Sequence, residues 1–114
     1  MAAINPDIQA VFAVCGIGQQ DSIRITGNEG FVDIGDLGVM EGDKDVLEMA
    51  KRMATRPANA GRVLLGTVQI KRLQALVWWI RDHQRRGLAL VAAEFDIATM
   101  NVAMTSKSVE KERG

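Results

Sequence analysis

Apolar positions recur every three or four residues along most of this chain, which is the spacing of amphipathic helices. Asn5-Pro6 predicts a capped helix start, and the apolar stripe that follows ends at Gly16. Residues 20–26 and 32–37 predict two short helices. Residues 43–56 predict a longer helix, whose acidic first turns and basic last turns match the helix dipole.

The longest periodic run covers residues 67–86 and ends in Arg85-Arg86-Gly87, a typical helix end. Residues 88–104 are apolar again and predict a sixth helix, whereas residues 105–114 have little to bury and predict a flexible charged tail or linker start. No segment alternates with the period of a strand. The pattern therefore predicts an all-α fold, a compact orthogonal bundle of five to six helices in one domain over residues 1–104.

Composition agrees with one small globular domain: 114 residues, 47% hydrophobic and 25% charged. A single cysteine excludes a disulfide framework. No apolar run approaches the ~20 residues of a membrane span, so we expect no membrane partner. The first residues lack the basic and apolar regions of a secretory signal, which favours an intracellular protein, cytoplasmic or nuclear.

The overall charge is zero, but its distribution is strongly uneven. Residues 1–50 carry nine acids and two bases, a net charge of −7. Residues 51–87 carry nine bases and one acid, a net charge of +8. Such a chain either pairs its two halves internally or presents two faces of opposite sign to partners.

Catalytic chemistry finds little support in this sequence. Cys15 and His83 are the only cysteine and histidine, and Cys15 falls on the apolar stripe of the first helix, where a free cysteine behaves as a small hydrophobe. One cysteine and one histidine cannot supply the roughly four ligands of a structural zinc site. We expect no enzyme activity, no metal, no cofactor and no small-molecule substrate.

Gly16, Ile17 and Gly18 form a hairpin-like turn between the first two predicted helices. Backbone N–H groups at the start of the second helix could hold a phosphate. However, the turn lies in the acidic half, and no lysine or arginine stands immediately beside Gly18 in the sequence. The glycines are therefore expected to serve tight helix packing, with Ile17 pointing inward.

Two short motifs carry a resemblance to known helical domains. The first is Val14-Cys-Gly-Ile-Gly with Asp21, and the second is Gly30-Phe31-Val-Asp-Ile34 with Leu37. Over residues 10–86 the chain resembles helix–hairpin–helix and sterile-alpha-motif-like domains, as in the N-terminal domain of RecA-like eukaryotic recombinases. It is similar, more weakly, to a helical domain of gag-like retroelement polyproteins. The resemblance implies a SAM-like fold and protein or nucleic-acid contacts.

Charged positions supply the candidate binding residues, and two interpretations of them stay open. The bases of the second half either track a phosphate backbone or an acidic partner, or they neutralise acids across a helix pair. The candidate basic set is Arg62, Lys71, Arg72, Arg81, Arg85 and Arg86. The candidate acidic partner face is Asp33, Asp36, Asp43, Asp45 and Glu48.

Trp78 and Trp79 are adjacent on the long helix, so their side chains point about 100° apart. One indole should be buried and the other should lie nearer the surface. The outer indole is either an anchor for a partner or is covered by residues 88–104.

The sequence favours a non-enzymatic protein-interaction or self-association module with segregated acidic and basic faces, with a larger polyprotein as one setting. The expected partner is a protein, above all a second copy joined head to tail, a contact that builds rings or filaments. The alternative is a nucleic-acid-binding module that uses the basic long helix.

Overall fold

The computed structural model describes residues 5–57 and 61–113, and the side chains among them as far as residue 106. Across these residues the protein is all-α, as predicted, with no strand. Five α-helices occur: α1 (Pro6–Val14), α2 (Gln19–Glu29), α3 (Asp43–Thr55), α4 (Thr67–Arg85) and α5 (Ile97–Arg113). Two 3-10 helices cover Ile34–Val39 and Ala92–Glu94.

Local signals in the sequence fix the first helices. The Asn5 side chain accepts hydrogen bonds from the backbone N–H groups of Asp7 and Ile8, at 2.8 and 3.2 Å, so it caps α1 as predicted. At the other end Gly16 adopts a left-handed conformation (φ 84°), and the Ile17 N–H donates to the Phe12 carbonyl. This Schellman closure turns Ile17 into the core, where 3% of it is exposed.

The 3-10 helix at Ile34–Val39 starts with two carboxylates that cap it reciprocally. Asp33 accepts from the Asp36 N–H at 3.1 Å, and Asp36 accepts from the N–H groups of Asp33 and Val32. Ile34 and Leu37 are buried by this segment. The two acids therefore stabilise the start of this 3-10 helix.

Helix α4 confirms the predicted long helix and lies against α3, α5 and the 3-10 helix at Ile34–Val39. Its buried face contributes Leu73, Leu76 and Ile80 to the core, each essentially inaccessible to solvent. α1, α2 and α3 add Phe12, Ile25 and Met49 to the same cluster. Burying such side chains is the main source of stability in a domain of this size.

Four side chains of α4 also donate hydrogen bonds to backbone carbonyls of the N-terminal half. Gln69 reaches the Gly16 carbonyl at 2.7 Å, and Gln74 reaches that of Asp43 at 3.2 Å. Arg81 reaches the carbonyls of Gly38 and Met40 at 2.7 and 3.3 Å, and Gln84 reaches that of Gly35 at 3.0 Å. These bonds fix the glycine-rich turns against α4.

The predicted helix over residues 88–104 is wrong in its boundaries. Gly87 adopts a left-handed conformation (φ 69°), residues 88–91 are not helical, and α5 begins only at Ile97. The start of α5 is set by Asp96, whose carboxylate accepts from the Thr99 N–H at 2.8 Å. This bond to the backbone of Thr99 holds the pKa of Asp96 below its ordinary value.

The backbone of α5 stays helical to Arg113, so the segment expected to be a charged tail continues the helix. Its side chains beyond residue 106 lie outside the described part, and the division into a domain over 1–104 and a tail over 105–114 stays a prediction. The resemblance to SAM-like and helix–hairpin–helix domains, and the orthogonal crossing of the helices, likewise stay predictions.

Gly38 makes the closest approach in the contact between α4 and the 3-10 helix. A Cβ atom at Gly38 would lie within 3.0 Å of the amide group of Gln84, which donates to Gly35. We therefore expect Gly38→Ala to displace Gln84 and to remove this hydrogen bond, at a cost of ~1 kcal/mol. The backbone of Gly38 is not left-handed, so the displaced amide is the main penalty.

A double-mutant cycle measures this penalty. Gly38→Ala, Gln84→Ala and the double variant are compared by urea unfolding. We expect Gly38→Ala to be better tolerated in the Gln84→Ala background by ~1 kcal/mol. Additive effects would show that the two residues are not coupled. Gly27, with nothing within 4 Å of its Cβ position, is the matched site: Gly27→Ala should not couple to Gln84.

Candidate functional site

A cleft of about 540 Å³ separates the outer face of α4 from the start of α3. One wall consists of Glu41, Gly42 and Asp43, and the other contains Trp78 and Arg85. The cleft thus brings together members of the basic set, the acidic set and the tryptophan pair that the sequence singles out.

The residues on the outer face of α4 form one stripe, because positions three, four or seven residues apart lie on the same side of a helix. Within it Trp78 is partly exposed, and Lys71 and Arg85 are exposed seven residues before and after it, about two helical turns in each direction. Gln74, Arg81 and Asp82 complete the stripe along the floor of the cleft. Its polar members on either side of Trp78 leave the indole as the main apolar feature of this face.

Trp79 points into the core and is 6% exposed, so it is not an anchor for a partner. Its ring lies 4.3 Å from the His83 ring and 5.2 Å from the Phe95 ring, measured between centroids. Phe95 belongs to residues 88–104, which the sequence offered as a cover for the outer indole, but its ring packs against the inner one. The prediction that one tryptophan is buried and the other nearer the surface is confirmed, with Trp78 as the outer one.

The Arg81 side chain makes hydrogen bonds within the fold. Its guanidinium donates to the carbonyls of Gly38 and Met40, which end the 3-10 helix at Ile34–Val39. Hydrogen bonds from a charged donor to such carbonyls are stronger than neutral ones. This contact gives Arg81 a structural role, and its expected role in binding a phosphate or an acidic partner stays a prediction. The contact was not predictable because its acceptors are backbone groups of a distant segment.

Arg85 and Arg86 share one carboxylate at the end of α4. Asp82 accepts from Arg85 at 2.6 Å and from Arg86 at 3.2 Å. Partial burial by itself would raise the pKa of Asp82, but the hydrogen bonds from Arg86 and Arg85 outweigh it and lower the pKa. Both guanidinium groups remain well exposed, at 65% and 62%, so this end of the helix presents one net positive charge to solvent.

The remaining basic candidates are spread over the surface. Arg62 and Lys71 are exposed and take part in no ion pair within the described part of the chain. Arg72 is half-buried, and one of its nitrogen atoms would lie 3.5 Å from a Cβ atom at Gly16. A base therefore lies beside the hairpin-like turn in space, although none neighbours it in the sequence, because α4 brings it there from 56 residues further along the chain.

The acidic candidates lie in three places, the first being the start of the 3-10 helix at Ile34–Val39, which Asp33 and Asp36 cap. Asp43 lines the cleft, whereas Asp45 and Glu48 line a second pocket of about 260 Å³ together with Glu29 and Arg52. Arg52 and Glu29 form a bridge of 2.5 Å, and this hydrogen bond raises the pKa of Arg52. Among the residues that the structure describes, no base of α4 pairs with Asp45 or Glu48, so the expected neutralisation across a helix pair is absent for these two.

Glu41, Gln74 and Asp82 are cleft residues that sequence reasoning missed. Asp82 carried a usable signal, since it is the only acid among residues 51–87. Glu41 and Gln74 carried none, because an acid between helices and a neutral amide on a helix are common surface residues.

Nucleophilic or metal chemistry is not supported by the geometry. Cys15 is fully buried, and burial raises the pKa of its thiol to about 12, although the nearby Arg72 acts in the opposite direction. Within the described residues, no group of three or more histidine, cysteine or acidic side chains is placed to hold a metal ion. No helix in the described part is both long enough and apolar enough to cross a bilayer.

Comparison with protein-family models, with curated proteins and with solved structures finds no match to this chain. The argument for function therefore rests on the cleft and on the charges around it.

Arg81 and Arg85 provide a test of the structural assignment. We expect Arg81→Ala to lower the free energy of unfolding by about 1.5–3 kcal/mol, because two backbone carbonyls lose a charged donor. Arg85→Ala is the matched control, and we expect a loss of less than ~1 kcal/mol, as for exposed ion pairs. Urea unfolding of both variants measures the difference. Equal losses would show that the carbonyl contacts of Arg81 add nothing.

The lowered pKa of Asp82 predicts a pH dependence of stability. Its folded pKa lies below its unfolded value, so its ionisation stabilises the fold above about pH 4. That contribution disappears as the pH falls through the folded pKa. We expect Asp82→Asn to be less stable than the parent chain at pH 7 but not at pH 2, as measured by urea unfolding. Glu48→Gln, which removes an exposed acid, should show little difference at either pH; a pH-independent loss for Asp82→Asn would contradict the assignment.

Proposed function

We propose that this protein is a non-enzymatic protein-interaction module that associates with a second copy of itself through surfaces of opposite charge. One observation carries the proposal: the described part of the chain exposes bases at the end of α4 and an acid on α3 in excess of the ion pairs it forms there. Arg85 and Arg86 are exposed around a single carboxylate, while Glu48 is exposed and forms no ion pair among the described residues. Exposed charges of this kind favour association with a surface of opposite charge, and they increase the rate at which two chains associate.

The proposal requires no cofactor, metal, membrane or small-molecule substrate. The buried Cys15 argues against a cysteine–histidine nucleophile pair, because its thiolate is strongly disfavoured. We include a setting within a larger polyprotein, as the resemblance to gag-like helical domains suggests. Self-association is a natural task for a module in such a chain.

Nucleic-acid binding is the second candidate, and the exposed bases of α4 and the segment before it favour it. Lys71 and Arg85 lie on the same side of α4, about 21 Å apart at 1.5 Å per residue. Arg62 precedes the helix and is also exposed. A phosphate backbone could follow such a row. Overall neutrality disfavours this candidate, since the chain has no net attraction for a polyanion.

Light scattering of the intact chain tests the proposal. At low salt we expect a molar mass above the 12.4 kDa of one chain. At about 0.5 M salt the Debye length falls to roughly 4–5 Å, and the mass should return to that of one chain. Arg85→Gln with Arg86→Gln should prevent association at low salt. Arg24→Gln with Lys51→Gln, which changes the net charge equally, should not.

A short labelled oligonucleotide separates the two candidates. We expect no change in its fluorescence anisotropy when the protein is added. Binding that weakens linearly with log salt, at about −0.7 per phosphate contact, would support the nucleic-acid function instead. A single-chain mass at every salt concentration, with no binding of the oligonucleotide, would overturn both.

A further inference from the structure

The segment between α3 and α4, residues 61–66, is neither helical nor turned. Val63 and Leu65 pack against the core, whereas Arg62 and Leu64 are exposed. This alternation with a period of two residues is that of an extended strand lying on the core. Within the described part of the chain, no second strand lies beside it.

One edge of this segment has backbone groups without a hydrogen-bond partner. The Val63 N–H donates to the Met53 carbonyl at 3.0 Å, which fixes one edge against the end of α3. Successive residues of an extended chain direct their N–H and carbonyl groups to opposite edges, so those of Leu64 point away from α3. Neither group of Leu64 forms a hydrogen bond to a described residue, and Leu64 is 69% exposed. This edge is therefore open to the backbone of a second strand.

An apolar contact surface adjoins the open edge. The Leu64 side chain points outward, and Val68 in the first turn of α4 is 59% exposed. Large apolar side chains that are exposed close together in the chain favour contact with a partner's apolar side chain.

The charged side chains around the segment are mainly basic. Arg24 packs against the first residue of the segment and pairs with Asp21 at 3.2 Å. Arg62, Lys71 and Arg72 form no ion pair among the described residues. Two copies of this chain paired through the segment would bring these bases together, so the charge disfavours a second copy here and favours an acidic partner.

We propose that this edge binds an extended segment of a partner protein, in which acidic side chains stand on either side of an apolar one. The partner's backbone pairs with the N–H and carbonyl groups of Leu64, and its apolar side chain lies over that of Leu64. Its acidic side chains, two residues before and after, meet Arg62 at one end and Lys71 at the other. Lys71 lies five residues beyond Gly66, about 8 Å along α4, which is within reach of such a side chain.

This inference goes beyond the proposed self-association, because it assigns a different partner to a different surface. A nucleic acid would use the same bases, but it would leave the backbone edge and the apolar side chains unused. The open edge of Leu64 therefore favours an extended peptide over a nucleic acid.

Fluorescence anisotropy of a labelled peptide, Gly-Glu-Thr-Val-Thr-Glu-Gly, tests the proposal with the intact chain. Its pattern of acidic and apolar side chains is the same in both strand directions. We expect the peptide to bind, and an N-methyl group on its valine to weaken binding at least about fivefold, because the N–H that bonds Leu64 is lost. The peptide with lysine in place of glutamate should not bind. Equal binding of the N-methylated peptide would show that charge alone is responsible and would overturn the proposal.

Two protein variants with equal changes in net charge locate the site. Arg62→Glu should weaken binding of the peptide at least about fivefold, since an attractive cross-strand pair becomes a repulsive one. Arg86→Glu, at the other end of α4, is the matched control and should leave the affinity unchanged. Circular dichroism shows whether each variant keeps its helices. Equal weakening by both variants would overturn the assignment to this edge.

Amide hydrogen exchange, followed by NMR, tests the strand pairing directly. The Leu64 amide should exchange rapidly in the free protein and slowly when the peptide is bound. The Val63 amide, which already bonds Met53, should exchange slowly in both states and serves as the internal control. An unchanged exchange rate at Leu64 in the presence of bound peptide would overturn the proposal. Binding of a short oligonucleotide without binding of the peptide would also overturn it, in favour of a nucleic-acid partner.

Discussion

Hydrogen bonds from the side chains of α4 to backbone carbonyls hold the N-terminal half in place, and the rest of the structure depends on them. That half consists of short helices, which are marginal on their own and leave carbonyls unpaired at their ends. Gln69 donates to the carbonyl of Gly16, and Gln74 to that of Asp43. Arg81 and Gln84 donate to carbonyls within residues 35–40. The core supplies most of the free energy, but it is non-directional, and these bonds determine where each short segment lies along α4. The cleft exists because Gln74 holds the start of α3 at a defined level beside Trp78.

Because of these bonds, the two oppositely charged halves are joined mainly without ion pairs. In the sequence, nine bases follow nine acids, and pairing of carboxylates with guanidinium groups is the simplest way to join the halves. In the structure Arg81 is directed to backbone carbonyls, and three amides without charge make the other contacts. Of the described ion pairs, the bridge between Arg52 and Glu29 joins the two halves. Glu48 on α3, and Arg85 and Arg86 at the end of α4, therefore keep their charges toward solvent.

Much of the fold was predictable because it follows from local rules. Apolar spacing predicted α1 to α4, Asn5 predicted a cap, and Gly16 predicted a stop, since each acts within a few residues. The stretch after Gly87 was misjudged because its apolar composition hid Asp96, the residue that caps α5.

The cleft was predictable only in part. Adjacent positions on a helix diverge by about 100°, which correctly separated Trp78 from Trp79. No local rule places Glu41 and Arg85 in one cleft, or Arg72 beside Gly16, because these are tertiary arrangements of distant segments.

Part of the cleft wall is held by the same contacts. Arg81 donates to two backbone carbonyls, so this long side chain would lose little further conformational freedom in a contact at the cleft, whereas Arg85 stays 65% exposed in its pair with Asp82. The wall that carries Asp43 is fixed to Gln74. A small interface gains most from such preorganisation, because the ordering of side chains is a large part of what opposes association. Substitutions that loosen α4 from the turns therefore weaken any contact at the cleft, even where the substituted residue lies outside it.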